Sequence, residues 1–130
     1  MTVFFDTNIL VYSLAGDRRG AIAREILRGG GIVSVQVLNE FVRVARNKLR
    51  LDWPTIDSAL NAFRDLVGDV APLTLAIHEA ALELARRDGI NIFDALIVAA
   101  AREAGCDVLY SEDMQHGRVF GRLKIINPFA

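Results

Sequence analysis

Residues 3–12 read Val3-Phe4-Phe5-Asp6-Thr7-Asn8-Ile9-Leu10-Val11-Tyr12, and the change of pattern at Asp6 organises the rest of the chain. The apolar run before Asp6 fits a short buried strand over residues 2–6. Thr7 and Asn8 are helix-capping types, which predicts a short helix to about Leu14. Asp6 therefore stands where a strand leaves the core. A carboxylate in such a place is costly unless something offsets its charge.

Working outward, the same alternation recurs. Residues 16–20 read as a charged loop and 21–28 as a helix stopped by Gly29-Gly30-Gly31. Ile32-Val33 suits a short strand, 34–50 a long helix, and 54–66 another that begins at Pro54. Val70-Ala71 fits a strand or a turn. Helices over 75–88 and 91–104 end at Gly89 and Gly105, and strands follow over 107–111 and 123–126. Short β runs separated by helices point to an α/β fold with a parallel sheet covered on both faces. Sites in such sheets lie beyond the carboxyl ends of the strands.

Four acids fall where that geometry gathers them. Asp6 and Asp113 follow strands, and Asp94 lies in the first turn of the most apolar helix. Its neighbours at i+3, i+4 and i+7 are Ile97, Val98 and Ala101. Glu40 lies at the margin of an apolar helix face made by Leu38, Phe41, Val42, Ala45 and Leu49. Each has an ordinary structural explanation as well: helix capping for Asp6 and Asp94, a solvent-facing ion pair for Glu40, turn chemistry for Asp113. Glu112 is the alternative to Asp113. Together, four carboxylates in one pocket repel unless protons or a cation intervene, and a hard divalent metal prefers oxygen ligands. Asn8 and Ser111 are polar supports beside Asp6 and Asp113. His116 reads as a loop residue, and His78 has no second His or Cys at zinc-ligand spacing.

Composition limits the other choices. A chain of 130 residues, 52% of them apolar, forms one domain with a proper core. The longest apolar run, residues 95–101, has seven residues against the ~20 of a membrane span. No secretory signal is visible, and one cysteine (Cys106) excludes an intrachain disulfide. A cytoplasmic protein with no membrane partner is the expectation. Net charge is −1, so no global basic field marks a nucleic-acid binder. Thirteen Arg stand against two Lys, which fits a compositional bias. Arg43, Arg46 and Arg50 nonetheless line one side of their helix, where they would track phosphates or meet an acidic partner.

The ordered set Asp6-Thr7-Asn8, mid-helix Glu40, Phe93-Asp94-Ala95-Leu96-Ile97 and Ser111-Glu112-Asp113-Met114-Gln115-His116-Gly117 resembles the PIN domain. It is most similar to the VapC-type toxins of bacterial and archaeal toxin–antitoxin pairs. The resemblance spans residues 1–130 as a single nuclease domain. It implies a three-layer α/β/α sandwich and metal-dependent cleavage of RNA, with Asp6, Glu40, Asp94 and Asp113 as the acidic quartet. It also implies a homodimer and an antitoxin that covers the groove. On this reading Mg²⁺ or Mn²⁺ is held by Asp6, Asp94 and Asp113, Glu40 orients water, and RNA loops or single strands are the substrate.

Rival readings fit less well. A receiver-type signalling domain wants an acidic pair beside the first strand and a Lys after a late one, whereas Asp6 is alone and Lys124 falls within the final strand. A haloacid-dehalogenase-like phosphatase wants a second Asp where Asn8 stands. A housekeeping RNA-processing nuclease, or a PIN-fold module that binds without cutting, is the nearer alternative.

Overall fold

A computed structural model describes residues 1–130. The elements run β1 (Val3–Phe5), α1 (Thr7–Tyr12), α2 (Arg18–Arg28), β2 (Gly31–Ser34), α3 (Val35–Asn47) and α4 (Trp53–Val67). They continue with β3 (Gly68–Ala71), α5 (Leu75–Asp88), α6 (Ile92–Glu103), β4 (Val108–Tyr110), β5 (Val119–Phe120) and β6 (Leu123–Ile126).

The strands form one six-stranded sheet in the order β3-β2-β1-β4-β6-β5. Every neighbouring pair is parallel except β5 with β6. Successive strand residues point to opposite faces. Phe4 and Phe5 are both fully buried, so helices cover the sheet on both sides. This is the expected α/β/α sandwich, with one antiparallel edge strand added.

Helix α6 is the central one. Residues 95–101 are all buried, and the four alanines among them (Ala95, Ala99, Ala100 and Ala101) let the helix pack closely, most of all against α5. Asn91 caps it by accepting from the Asp94 amide at 2.9 Å. Between α3 and α4, Phe41 and Phe63 meet edge to face at 5.0 Å.

Several boundaries differ from expectation. Asp17 accepts from the Gly20 amide at 3.0 Å and starts α2 at Arg18, three residues early, so the charged loop is shorter. The cap of α1 is Asp6 itself, not Thr7 or Asn8. Helix α3 ends at Asn47, and Arg50 beyond it has a positive φ of 54°. Leu49 is therefore exposed, and Val37 takes its place beside Phe41 and Ala45 on the buried face. Val70-Ala71 is a strand: Gly68, at φ 83°, ends α4, and β3 pairs with β2 from there. The two-residue β5 gave no apolar run, and it forms because Gly121 (φ 64°) turns the chain back onto β6. No helix is long and apolar enough to cross a membrane.

Candidate active site

Register fixes the site. Phe5 pairs with Tyr110 and Tyr110 with Ile126, so Asp6 and Ser111 leave the sheet side by side at its carboxyl end. The chain runs from β1 to β2 and β3 on one side and then returns to β4 on the other. A crevice opens at such a switch point.

Asp6 is only 3% exposed. One carboxylate oxygen accepts from the Thr7 amide at 2.7 Å; the other accepts from the Ser111 hydroxyl at 2.6 Å and from the Asn8 amide at 3.4 Å. Burial pushes its pKa up to about 7, against the lowering effect of the Ser111 and Thr7 hydrogen bonds, and the charges of Asp113 and Asp94 push the same way as burial. Asn8 also donates to Asp113 at 3.1 Å and accepts from the Glu112 amide at 3.3 Å. Its one side chain thus ties the β4 loop to the first turn of α1.

Glu40 reaches the same place from α3. Thr7 donates its hydroxyl to one oxygen at 2.7 Å, and Gln36 its amide to the other at 3.1 Å. Asp94 is half-buried and receives the Asn91 side-chain amide at 2.8 Å. Its pKa is raised, first by burial and then by the nearby Asp113 and Glu40 charges.

The two candidates after β4 are separated by their partners. Glu112 pairs with Arg19 at 3.4 Å and lies against the Tyr12 hydroxyl, whose pKa it raises. Asp113 is exposed and bridged by Asn8 toward Asp6. Ser111, fully buried, also accepts from the Met114 amide at 3.3 Å, which shapes the loop.

All four acids, with Glu112, line one cleft of about 510 Å³. Five carboxylates face two cations there, Arg43 and Lys48. The donors are all hard oxygens, the type Mg²⁺, Mn²⁺ and Ca²⁺ take. No three of the acidic or imidazole side chains converge on one point as they stand. The donor set fits a divalent cation, and joint coordination requires side-chain rotation.

Of the three arginines singled out in the sequence, only Arg43 lines the cleft. Arg46 lies 4.4 Å over the Trp53 ring and donates to the Leu51 carbonyl at 3.1 Å, so it staples the turn after α3. Arg50 falls beyond the helix end. His116 accepts from the Asn127 amide at 2.9 Å, a loop-bracing role.

Residues 3–120 match the family described as the PIN domain. The chain belongs to the PIN domain family. No curated protein matches it in sequence. Among solved structures, this PIN domain is similar to VapC20 from Mycobacterium tuberculosis, described as a sarcin-ricin loop cleaving toxin, at 25% identity and a TM-score of 0.69 over 86% of this chain and 90% of that one. It is also similar in fold to VapBC2 from Rickettsia felis bound to a promoter DNA fragment, at 19% identity and a TM-score of 0.68 over 96% and 97% of the two chains. A toxin–antitoxin complex from Klebsiella pneumoniae matches at 20% identity and a TM-score of 0.69 over 98% of each chain.

Some features of this PIN domain site escape a reading of the sequence. The Thr7–Glu40 bond joins residues 33 apart. Lys48, the C-cap residue of α3, also lines the cleft. Tyr12 packs edge-on against Phe129 at 5.0 Å under Arg19. Phe93 is 58% exposed at the rim, although a Phe before a buried apolar run would ordinarily belong to the core.

Proposed function

We propose that this PIN domain is a divalent-metal-dependent endoribonuclease that hydrolyses RNA phosphodiester bonds and serves as the toxin of a toxin–antitoxin pair. The observation that carries the reading is Asp6: a nearly buried carboxylate facing Asp94, Asp113 and Glu40 across one cleft. Asp6, Asp94 and Asp113 would hold Mg²⁺ or Mn²⁺. When bound, such an ion lowers the pKa of bound water and offsets phosphate charge.

The chain's own groups supply the rest. Ser111 and the Thr7 amide orient Asp6 and favour its ionised form. Asn91 orients Asp94. Thr7 and Gln36 hold Glu40 as an acceptor at the cleft wall, placed to orient an attacking water. Arg43 and Lys48 are the cations available to phosphates. Water is the nucleophile in this scheme, because the Thr7 and Ser111 hydroxyls are each donated to a carboxylate and Cys106 is buried away from the cleft.

The toxin role is supported by the likeness to VapC20 and to the two toxin–antitoxin complexes. It carries with it a homodimer, a cytoplasmic location and an antitoxin that places a basic side chain among the acids. The test is cleavage of single-stranded RNA with Mn²⁺ by the purified chain and by Asp94→Asn. Cleavage abolished by the substitution and by chelation, with far-UV circular dichroism unchanged, supports the reading. Undiminished cleavage by the folded variant overturns it.

A further inference from the structure

Beside the cleft lies a smaller hollow of about 200 Å³, walled by Gln36, Asn39, Glu40 and Arg43 from α3 and by Phe93 from the start of α6. Glu40, Arg43 and Phe93 border both spaces, so whatever enters the hollow lies against the acids. Its chemistry is unlike that of the acidic floor. Phe93 turns an exposed ring outward, two residues before the seven buried residues 95–101. Arg43 belongs to none of the four ion pairs and donates no side-chain hydrogen bond. Gln36 spends one amide hydrogen on Glu40 and keeps its carbonyl oxygen, while Asn39 is exposed with its amide unpaired.

An aromatic face with amide donors and acceptors and a free guanidinium is the set that takes an unpaired nucleobase. The ring stacks on the base, the amides bond its edge, and the guanidinium holds its phosphate. An apolar ligand would leave Arg43, Asn39 and Gln36 unsatisfied, and a bare phosphate would not need the ring. We propose that this hollow is a nucleobase subsite: the base of a nucleotide flanking the scissile phosphate stacks on Phe93 and is read by Asn39 and Gln36, while Arg43, which borders both spaces, holds that nucleotide's phosphate. The inference rests on the nuclease reading above and adds to it a determinant of where the strand is cut.

The test uses the intact chain, Mn²⁺ and a short oligoribonucleotide that it cleaves, together with copies made abasic at one position at a time. Phe93→Ala lowers kcat/KM about 5- to 150-fold, the range of one base–aromatic stack, and Phe93→Trp retains it. One abasic position costs the wild type a similar factor and costs Phe93→Ala nothing further. Phe93 is exposed, so both variants keep the wild-type melting temperature. Cleavage indifferent to Phe93, or abasic and Phe93→Ala losses that simply multiply at every position, overturns the subsite alone. No metal-dependent cleavage by the folded wild type overturns the nuclease reading and the subsite with it.

Discussion

Ser111 donates its hydroxyl to Asp6 at 2.6 Å, linking residues 105 apart at the carboxyl ends of β1 and β4. Both groups are buried, so the bond is short and poorly screened. It is the main side-chain contact that favours the ionised form of Asp6. Ser111→Ala should lower stability by about 1–3 kcal/mol, the cost of leaving a buried acceptor short of a donor. It should also move the acidic limb of the cleavage profile to higher pH. Urea unfolding and a pH–rate series check the two effects separately.

The pH dependence of stability follows from the same residue. Asp6 has a folded pKa of about 7 against an ordinary 3.8. The folded state therefore binds the proton more tightly than the unfolded chain. Its contribution is neutral below 3.8, turns unfavourable as pH rises toward 7, and is fully unfavourable above 7. The raised Asp94 adds to it with the same sign. Without metal, the protein should lose up to roughly 4 kcal/mol between pH 4 and pH 8 from Asp6. Asp6→Asn should flatten the curve. Chemical denaturation in chelator across that range is the measurement, and stability that rises with pH through 7 would contradict the account.

Arg43 and Arg46 are one helical turn apart and should behave differently. Arg43 lines the cleft, so Arg43→Ala should weaken RNA binding and reduce its salt slope by about 1. Arg46 is stacked on Trp53, so Arg46→Ala should cost about 0.5–1 kcal/mol of stability and leave the salt slope alone. Binding to labelled RNA at several salt concentrations distinguishes them.

Gly31 sets how closely β2 approaches β1. A Cβ there would lie 2.6 Å from the Phe5 ring and 2.9 Å from the Val3 carbonyl. Gly31→Ala should destabilise by about 1–3 kcal/mol and displace Asp6 with β1. A lowered melting temperature accompanied by reduced cleavage is expected.

Much of this was legible in the chain. The run Val3-Phe4-Phe5 and the apolar helix after Asp94 fixed the central strand and central helix, because burial on every side leaves an unbroken apolar signature. The four acids stand on one cleft for the same reason: each sits at the end of a legible element or, for Glu40, at the edge of an apolar face. What stayed hidden depends on chain ends and on rotamers. Arg46 was indistinguishable from Arg43 on the wheel until α3 stopped at Asn47 and the turn brought Trp53 under it. Strand β5 has two residues and no periodicity to read. Phe93 reads as core from its type, and only the packing of α6 puts its ring outside.

On the proposed assignment Asp6, Asp94 and Asp113 share one divalent cation, and calorimetric titration of Mn²⁺ into the chain at pH 8 and pH 6 decides whether they do. Binding with proton release at pH 6, weakened at least about tenfold in Asp6→Asn, is the predicted result. No binding, or equal binding by the folded variant, would contradict it.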